Sequence, residues 1–104
     1  WATIPDMTIS ITTTGGLVHI SGCVPMRWTD EYYNDFRLRV DGVVKWTKRL
    51  ETGHNQGRIN LDVSYYIELS SGSHVIDLQW QRTQATISQD GSTYTRYLQV
   101  VELS

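Results

Sequence analysis

Hydrophobic and polar residues alternate along most of this chain with a period of two, the spacing of a strand with one face buried. The clearest case is Arg58–Leu69, where Ile59, Leu61, Val63, Tyr65, Ile67 and Leu69 share one parity and Asn60, Asp62, Ser64, Tyr66 and Glu68 the other. Helical spacing would scatter the same residues around an axis. Met7–Thr13 sets Met7, Ile9 and Ile11 against Thr8, Ser10 and Thr12, after a lead-in, Trp1–Asp6, that Pro5 keeps extended. Leu17–Val24 puts Val18, Ile20 and Val24 on one side and Leu17, His19, Ser21 and Cys23 on the other, with Gly22 marking a bulge or a close backbone approach and Pro25 ending the strand. Phe36–Val40 and Val43–Thr47 flank Asp41-Gly42, the strongest hairpin signal present, with Arg37 and Arg39 outward. Between these lie an aromatic and acidic loop, MRWTDEYYND (Met26–Asp35), and a polar one around GHNQG.

The C-terminal third, Gly72–Ser104, reads as two strands closed by the turn signal Asp90-Gly91, with Thr83–Gln89 a short strand or loop before the turn. On His74–Trp80 the residues His74, Ile76, Leu78 and Trp80 face one way, and Val75, Asp77, Gln79 and Gln81 the other. Tyr94–Leu103 differs: Tyr94, Arg96, Leu98 and Val100 form one face, and Thr95, Tyr97, Gln99, Val101 and Leu103 the other. Both faces are partly apolar, and such a strand needs cover on each side. One cover is the domain's own core. A neighbouring subunit is the economical second.

Seven or eight short strands, regular turn signals and no convincing helix predict one all-β domain over residues 1–104. The first expectation is an antiparallel jelly-roll β-sandwich, and the runner-up an immunoglobulin-like sandwich. The strand GSHVIDLQWQR, a short hairpin and the closing DGSTYTRYLQVVEL resemble the C-terminal heads of phage tail fibres and of bacterial collagen-like surface proteins; the opening IPDMTISITTTGG fits the same pattern. Those heads are similar to tumour necrosis factor and complement-type globular heads. The resemblance implies a homotrimer on a fibrous stalk, located on a virion or at a bacterial cell surface.

Composition narrows the choice. Hydrophobic residues at 39% and charged residues at 19% belong to a folded protein, and four Trp and six Tyr against one Phe suit interfaces more than dry cores. A net charge of −2 with dispersed Lys and Arg leaves no electrostatic footprint for nucleic acid. No apolar run approaches a membrane span, and no signal peptide is visible. The single cysteine, Cys23, excludes an internal disulfide and reads as a small buried hydrophobe, in keeping with a phage or bacterial product. The start at Trp1 suggests a piece of a longer protein.

Chemistry is sparse. His19, His54 and His74 share no ligand spacing, and Asp30, Glu31 and Asp35 match no calcium loop, so no metal or other cofactor is expected. No serine sits in a nucleophile elbow, and a compact sandwich has little room for the cleft a glycosidase needs. The expectation is a non-enzymatic protein. Binding falls to Trp28, Tyr32, Tyr33 and Trp46, in or beside loops, where flat aromatic faces beside Asp and Asn suit a sugar ring; the plain alternative is that Trp28 and Trp46 cap the core. Trimer contacts are expected from Tyr97, Gln99 and Val101 on the last strand, with Gln79 and Gln81 on its expected neighbour. The sequence therefore points to a trimerisation and receptor-binding head whose partners are itself and a cell-surface glycan or protein. The alternative is a monomeric carbohydrate-binding module.

Overall fold

The alternating segments become antiparallel strands. The computed structural model describes residues 1–28, 33–51, 57–82, 88–89 and 96–104, and within them every regular element is a strand. In chain order these are β1 (Ala2–Thr13), β2 (Gly16–Trp28), β3 (Tyr33–Val40), β4 (Val43–Glu51), β5 (Gly57–Leu69), β6 (Gly72–Arg82), β7 (Ser88–Gln89) and β8 (Tyr97–Glu102). They form two antiparallel sheets. One has the order β1-β6-β3-β4; in the other β2 lies between β5 on one side and β7 and β8 on the other.

The inward parities meet in a single core. Ile4, Met7, Phe36, Leu38, Val40, Ile76 and Leu78 come from the first sheet, and Val18, Ile20, Val24, Leu61, Val63 and Leu69 from the second. All are buried, so the two sheets pack face to face as a β-sandwich. Ile11, Trp46, Leu50, Tyr65, Ile67, Trp80, Leu98 and Val100 pack around them, half-buried.

Turn chemistry agrees with the sequence. Asp41 (φ 52°) and Gly42 (φ 80°) both sit at positive φ, as the tight hairpin joining β3 to β4 requires. Asp41 adds a tie across the sheet: its Oδ1 accepts from the Val75 amide at 2.8 Å, and its own amide donates to the Val75 carbonyl at 2.8 Å.

Four expectations are corrected. The last strand does not pair with β6; it crosses to the other sheet and lies along β2, with Val18 opposite Glu102 and Cys23 opposite Tyr97. Pro25 does not end β2, which runs on to Trp28. Among the described residues nothing opposes Val24 or Pro25 on the β7/β8 side, so the missing N–H falls where the ladder is already interrupted. The lead-in is part of edge strand β1, where Pro5 is tolerated and a register shift between Thr3 and Thr8, with Asp6 at φ 65°, brings Ile4 and Met7 both into the core. An unbroken strand would send residues three apart to opposite faces. Cys23 is half-buried on the outer face of β2 rather than in the core. The Asp90-Gly91 turn, Tyr94, Thr95, Tyr32 and the middle of the GHNQG loop lie outside the described residues.

Candidate functional site

The outer face of the β5-β2-β8 sheet is built in rows. Asp62, Cys23 and Tyr97 lie across it, then Ser64, Ser21 and Gln99, then Tyr66, His19 and Val101. Leu17 follows, beside Glu68 and the Leu103 amide that donates to its carbonyl at 2.7 Å. Period-two alternation puts these residues on the surface, and four large apolar or aromatic ones among them stay exposed: Tyr66 (57%), Tyr97 (51%), Leu103 (52%) and Val101 (40%). The His19 ring stacks on Tyr66 at 4.3 Å between centroids and places Nε2 3.0 Å from Ser64 Oγ. Burial and the neighbouring Asp62 carboxylate push the Cys23 thiol up, which keeps it a poor nucleophile near neutral pH. Gly22 is a point of close approach: a Cβ there would stand 2.9 Å from the Tyr97 carbonyl oxygen.

The outer face of the β1-β6-β3-β4 sheet is polar. Arg39 donates through Nε to Asp77 Oδ1 at 2.9 Å, and the Asp77 carboxylate holds this guanidinium even more firmly in its charged form. Arg49 forks onto Asp35 at 2.7 and 3.1 Å and draws that carboxyl below its usual range. Arg37 donates to the neutral Gln79 amide oxygen at 2.7 Å, and its guanidinium lies 4.3 Å from the Trp1 ring centroid. Val44 and Val75 are exposed on this face near the Asp41-Gly42 hairpin, while Val43, opposite the inward-facing Val40, is exposed on the other side of β4.

The expected site residues separate on this frame. Tyr97, Gln99 and Val101 stand together and exposed, as their parity predicts. Gln79 and Gln81 are on the other sheet; Gln81 is exposed, whereas Gln79 is 7% exposed and tied to Arg37 and, at 3.4 Å, to Thr3. They are not neighbours of the last strand. Trp46 is half-buried against the core. The backbones of Trp28 and Tyr33 lie at the end of β2 and the start of β3, and Tyr32 is outside the described residues.

His74, read as an ordinary strand residue, is buried and held at both ring nitrogens, by Asp41 Oδ2 at 2.6 Å and the Ser70 carbonyl at 2.8 Å. Both partners only accept, so the doubly protonated ring fits best. The Asp41 carboxylate and then the Ser70 carbonyl raise the His74 pKa, while His74 and the Val75 amide lower that of Asp41. Among the described residues no cluster of three or more His, Cys, Asp or Glu is placed to hold a metal ion.

Reading the sequence missed Trp1 and Tyr66 as surface aromatics. For Tyr66 a signal existed: it is the one aromatic on a parity otherwise occupied by Asn60, Asp62, Ser64 and Glu68. No protein-family model, no curated protein and no solved structure matches the chain.

Proposed function

We propose that this chain is a non-enzymatic binding head that assembles into a head-to-tail trimer and presents its remaining surface to a receptor. A fibre tip, on a phage tail or a bacterial collagen-like surface protein, is its setting, so its place is the virion or the cell exterior. The observation that carries this reading is the exposure of apolar residues on the outer faces of both sheets: Tyr66, Tyr97, Val101 and Leu103 on one, Val44 and Val75 on the other. A two-fold dimer would join like patch to like, whereas a closed ring of three uses two different surfaces on each subunit. The two-faced character of β8 supports the same reading, because Leu98 and Val100 pack on the core while Tyr97 and Val101 face out.

The experiment is the solution mass by light scattering, for the parent chain and for Tyr97→Asp. Three times the 11.9 kDa chain mass is expected for the parent. An unpaired carboxylate buried at the contact costs about 3–5 kcal/mol, enough to shift the variant to monomer at micromolar concentration. A parent that runs as a monomer refutes the assembly. A variant that stays trimeric refutes this choice of face.

A second reading, a monomeric carbohydrate-binding module, has one specific observation in its favour. The second strand pairs with the fifth and the third with the sixth. These are the B–E and C–F neighbours of an immunoglobulin-like sandwich, rather than a feature peculiar to a jelly roll. Trimer assembly therefore rests on the exposed patches, and the jelly-roll topology on the resemblance of the C-terminal third.

A further inference from the structure

A sheet edge offers unpaired N–H and C=O groups to any extended chain, and natural sheets blunt their edges with proline, bulges, lysines or short strands. Among the described residues the two sheets end in β1, β4, β5 and the short β7 and β8, and all but one of these are blunted. β1 carries Pro5 and a register shift between Thr3 and Thr8. β4 carries exposed Lys45 and Lys48 and a register shift beside Leu38, while β8 is only 6 residues long. β5 has none of these devices. It runs for 13 residues in unbroken register with β2, holds no proline or lysine, and from Leu61 to Leu69 turns no charge inward. We propose that the free edge of β5, from Asp62 to Leu69, takes up an extended strand of a partner, one that alternates apolar residues, turned inward, with basic residues, turned outward. The inference deepens the receptor-binding half of the proposed function and rests on that reading for its biological setting; the chemistry of the edge does not depend on the trimer.

The apolar half of this pattern follows from where the core is left unsealed. β1 and β8 border one flank of the sandwich, where the Arg96 guanidinium donates to Asp6 at 3.3 Å, so β4 and β5 border the other. Along β5 the inward side chains pass from sealed to partly open: Leu61 and Val63 are 0% and 3% exposed, whereas Tyr65 and Ile67 are half-buried. Across the flank, β4 turns Trp46 and Val43 the same way, the first half-buried and the second exposed. Val43 and Ile67 lie toward one end of the sandwich, because the Ser70 carbonyl just beyond β5 holds His74, whose other ring nitrogen reaches Asp41 in the hairpin. The chain enters β5 from β4 at Gly57, away from this stretch. A strand added to β5 here continues the two-residue ladder and sets its inward residues beside Tyr65 and Ile67, taking apolar surface out of water.

Charge decides what the partner carries outward. On the outer parity of the same stretch stand Asp62, Ser64, Tyr66 and Glu68. Asp62 accepts from the Cys23 thiol, and Glu68 is exposed opposite Leu17, so neither carboxylate has a cation across from it on β2. Opposite charges facing each other across two strands stabilise the pair, and like charges there destabilise it. Lysine or arginine at the outward positions of the incoming strand therefore suits this edge. A second copy of the chain does not. Its β5 brings no lysine or arginine between Asn60 and Ser70. Antiparallel pairing of two β5 edges about Tyr65 sets Asp62 against Glu68 of the second copy, and pairing about Ser64 sets the same two diagonally; pairing about Val63 sets the two Asp62 carboxylates diagonally.

The test uses three synthetic peptides: one alternating lysine with valine, one alternating glutamate with valine, and the lysine–valine peptide with proline at its centre. Binding to the purified chain is read by fluorescence anisotropy, main-chain pairing by amide hydrogen exchange, and solution mass on the same sample. The lysine–valine peptide is expected to bind and to slow exchange at alternate amides of β5 between Asp62 and Leu69, with β3 unchanged. The glutamate–valine peptide should bind about tenfold more weakly or worse, and the proline peptide not at all, since proline removes a ladder donor and crowds the strand. Binding of the lysine–valine peptide should weaken in Glu68→Lys, vanish in Ile67→Lys and stay unchanged in Val75→Ser on the other sheet. Glu68 is exposed, so E68K keeps the test decisive even where I67K disturbs folding. Binding of none of the peptides, equal binding of the lysine and glutamate forms, indifference to E68K, or binding that adds no protection to β5 would overturn the assignment. A doubled mass that I67K abolishes, without peptide binding, would overturn it in favour of a second copy. A trimer that binds no peptide removes this site and leaves the fibre head; a monomer that binds removes the fibre head and leaves the site.

Discussion

Asn34 offers a prediction whose sign runs against the usual effect of a core substitution. It sits near the start of β3 on the inward parity, opposite Leu50 on β4 and Arg82 on β6, and is fully buried. Its Oδ1 and Nδ2 have no hydrogen-bond partner among the described residues. A buried amide left unpaired costs about 1–3 kcal/mol in desolvation. Leucine has a similar volume and no polar atom to satisfy, and swaps of conserved volume cost less than about 1.5 kcal/mol in strain. Asn34→Leu is therefore expected to stabilise the fold by about 1–2 kcal/mol, raising Tm by roughly 4–8 °C for each kcal/mol. Urea denaturation reads this directly: the midpoint should rise with an unchanged slope, since the surface exposed on unfolding is the same. A loss of about 1 kcal/mol or more in Asn34→Leu would refute the reasoning, by showing that the amide has a bonding partner in solution that matters to the fold.

Two further outcomes follow from the structure. The His74–Asp41 clamp ties the β3–β4 hairpin to β6, and its pH dependence has a definite direction. The raised His74 pKa contributes stability that is fully present below 6.5 and is lost as pH rises through the folded value; the lowered Asp41 pKa contributes stability present above 3.8 and lost as pH falls through its folded value. The clamp should hold best between those limits, so going from about pH 5.5 to about pH 8.5 should lower Tm more in the parent than in His74→Gln, and equal slopes would disprove the clamp. Gly22→Ala should push β8 off β2 at a cost of about 1–3 kcal/mol, since its Cβ meets the Tyr97 carbonyl oxygen at 2.9 Å and Leu98 Cδ1 at 3.3 Å. Hydrogen exchange should then speed up on β8 before β5, and uniform protection across both strands would contradict the close approach.

The sequence by itself determined which side of each strand is buried. The parity of Leu61 through Leu69, of Phe36, Leu38 and Val40, and of Ile76 and Leu78 is intrinsic to a two-residue repeat and needs no knowledge of neighbours. The Asp41-Gly42 turn was legible for the same local reason, as its two positive φ values demand residues of that kind. Pairing partners are a different matter. Tyr97, Gln99 and Val101 are outward whichever strand lies beside them, so their parity could identify the exposed face and not its neighbour. Adjacent strands usually pair, and that rule placed Gln79 and Gln81 beside them, whereas the long connection from β6 to β8 carries the last strand to the opposite sheet. Only the tertiary structure could bring Trp1 over Arg37 or His74 to Asp41, since those contacts join residues 36 and 33 positions apart in the chain. Alternation records what each side chain does with water; which distant charges and rings share a surface is decided by how the two sheets close over the core.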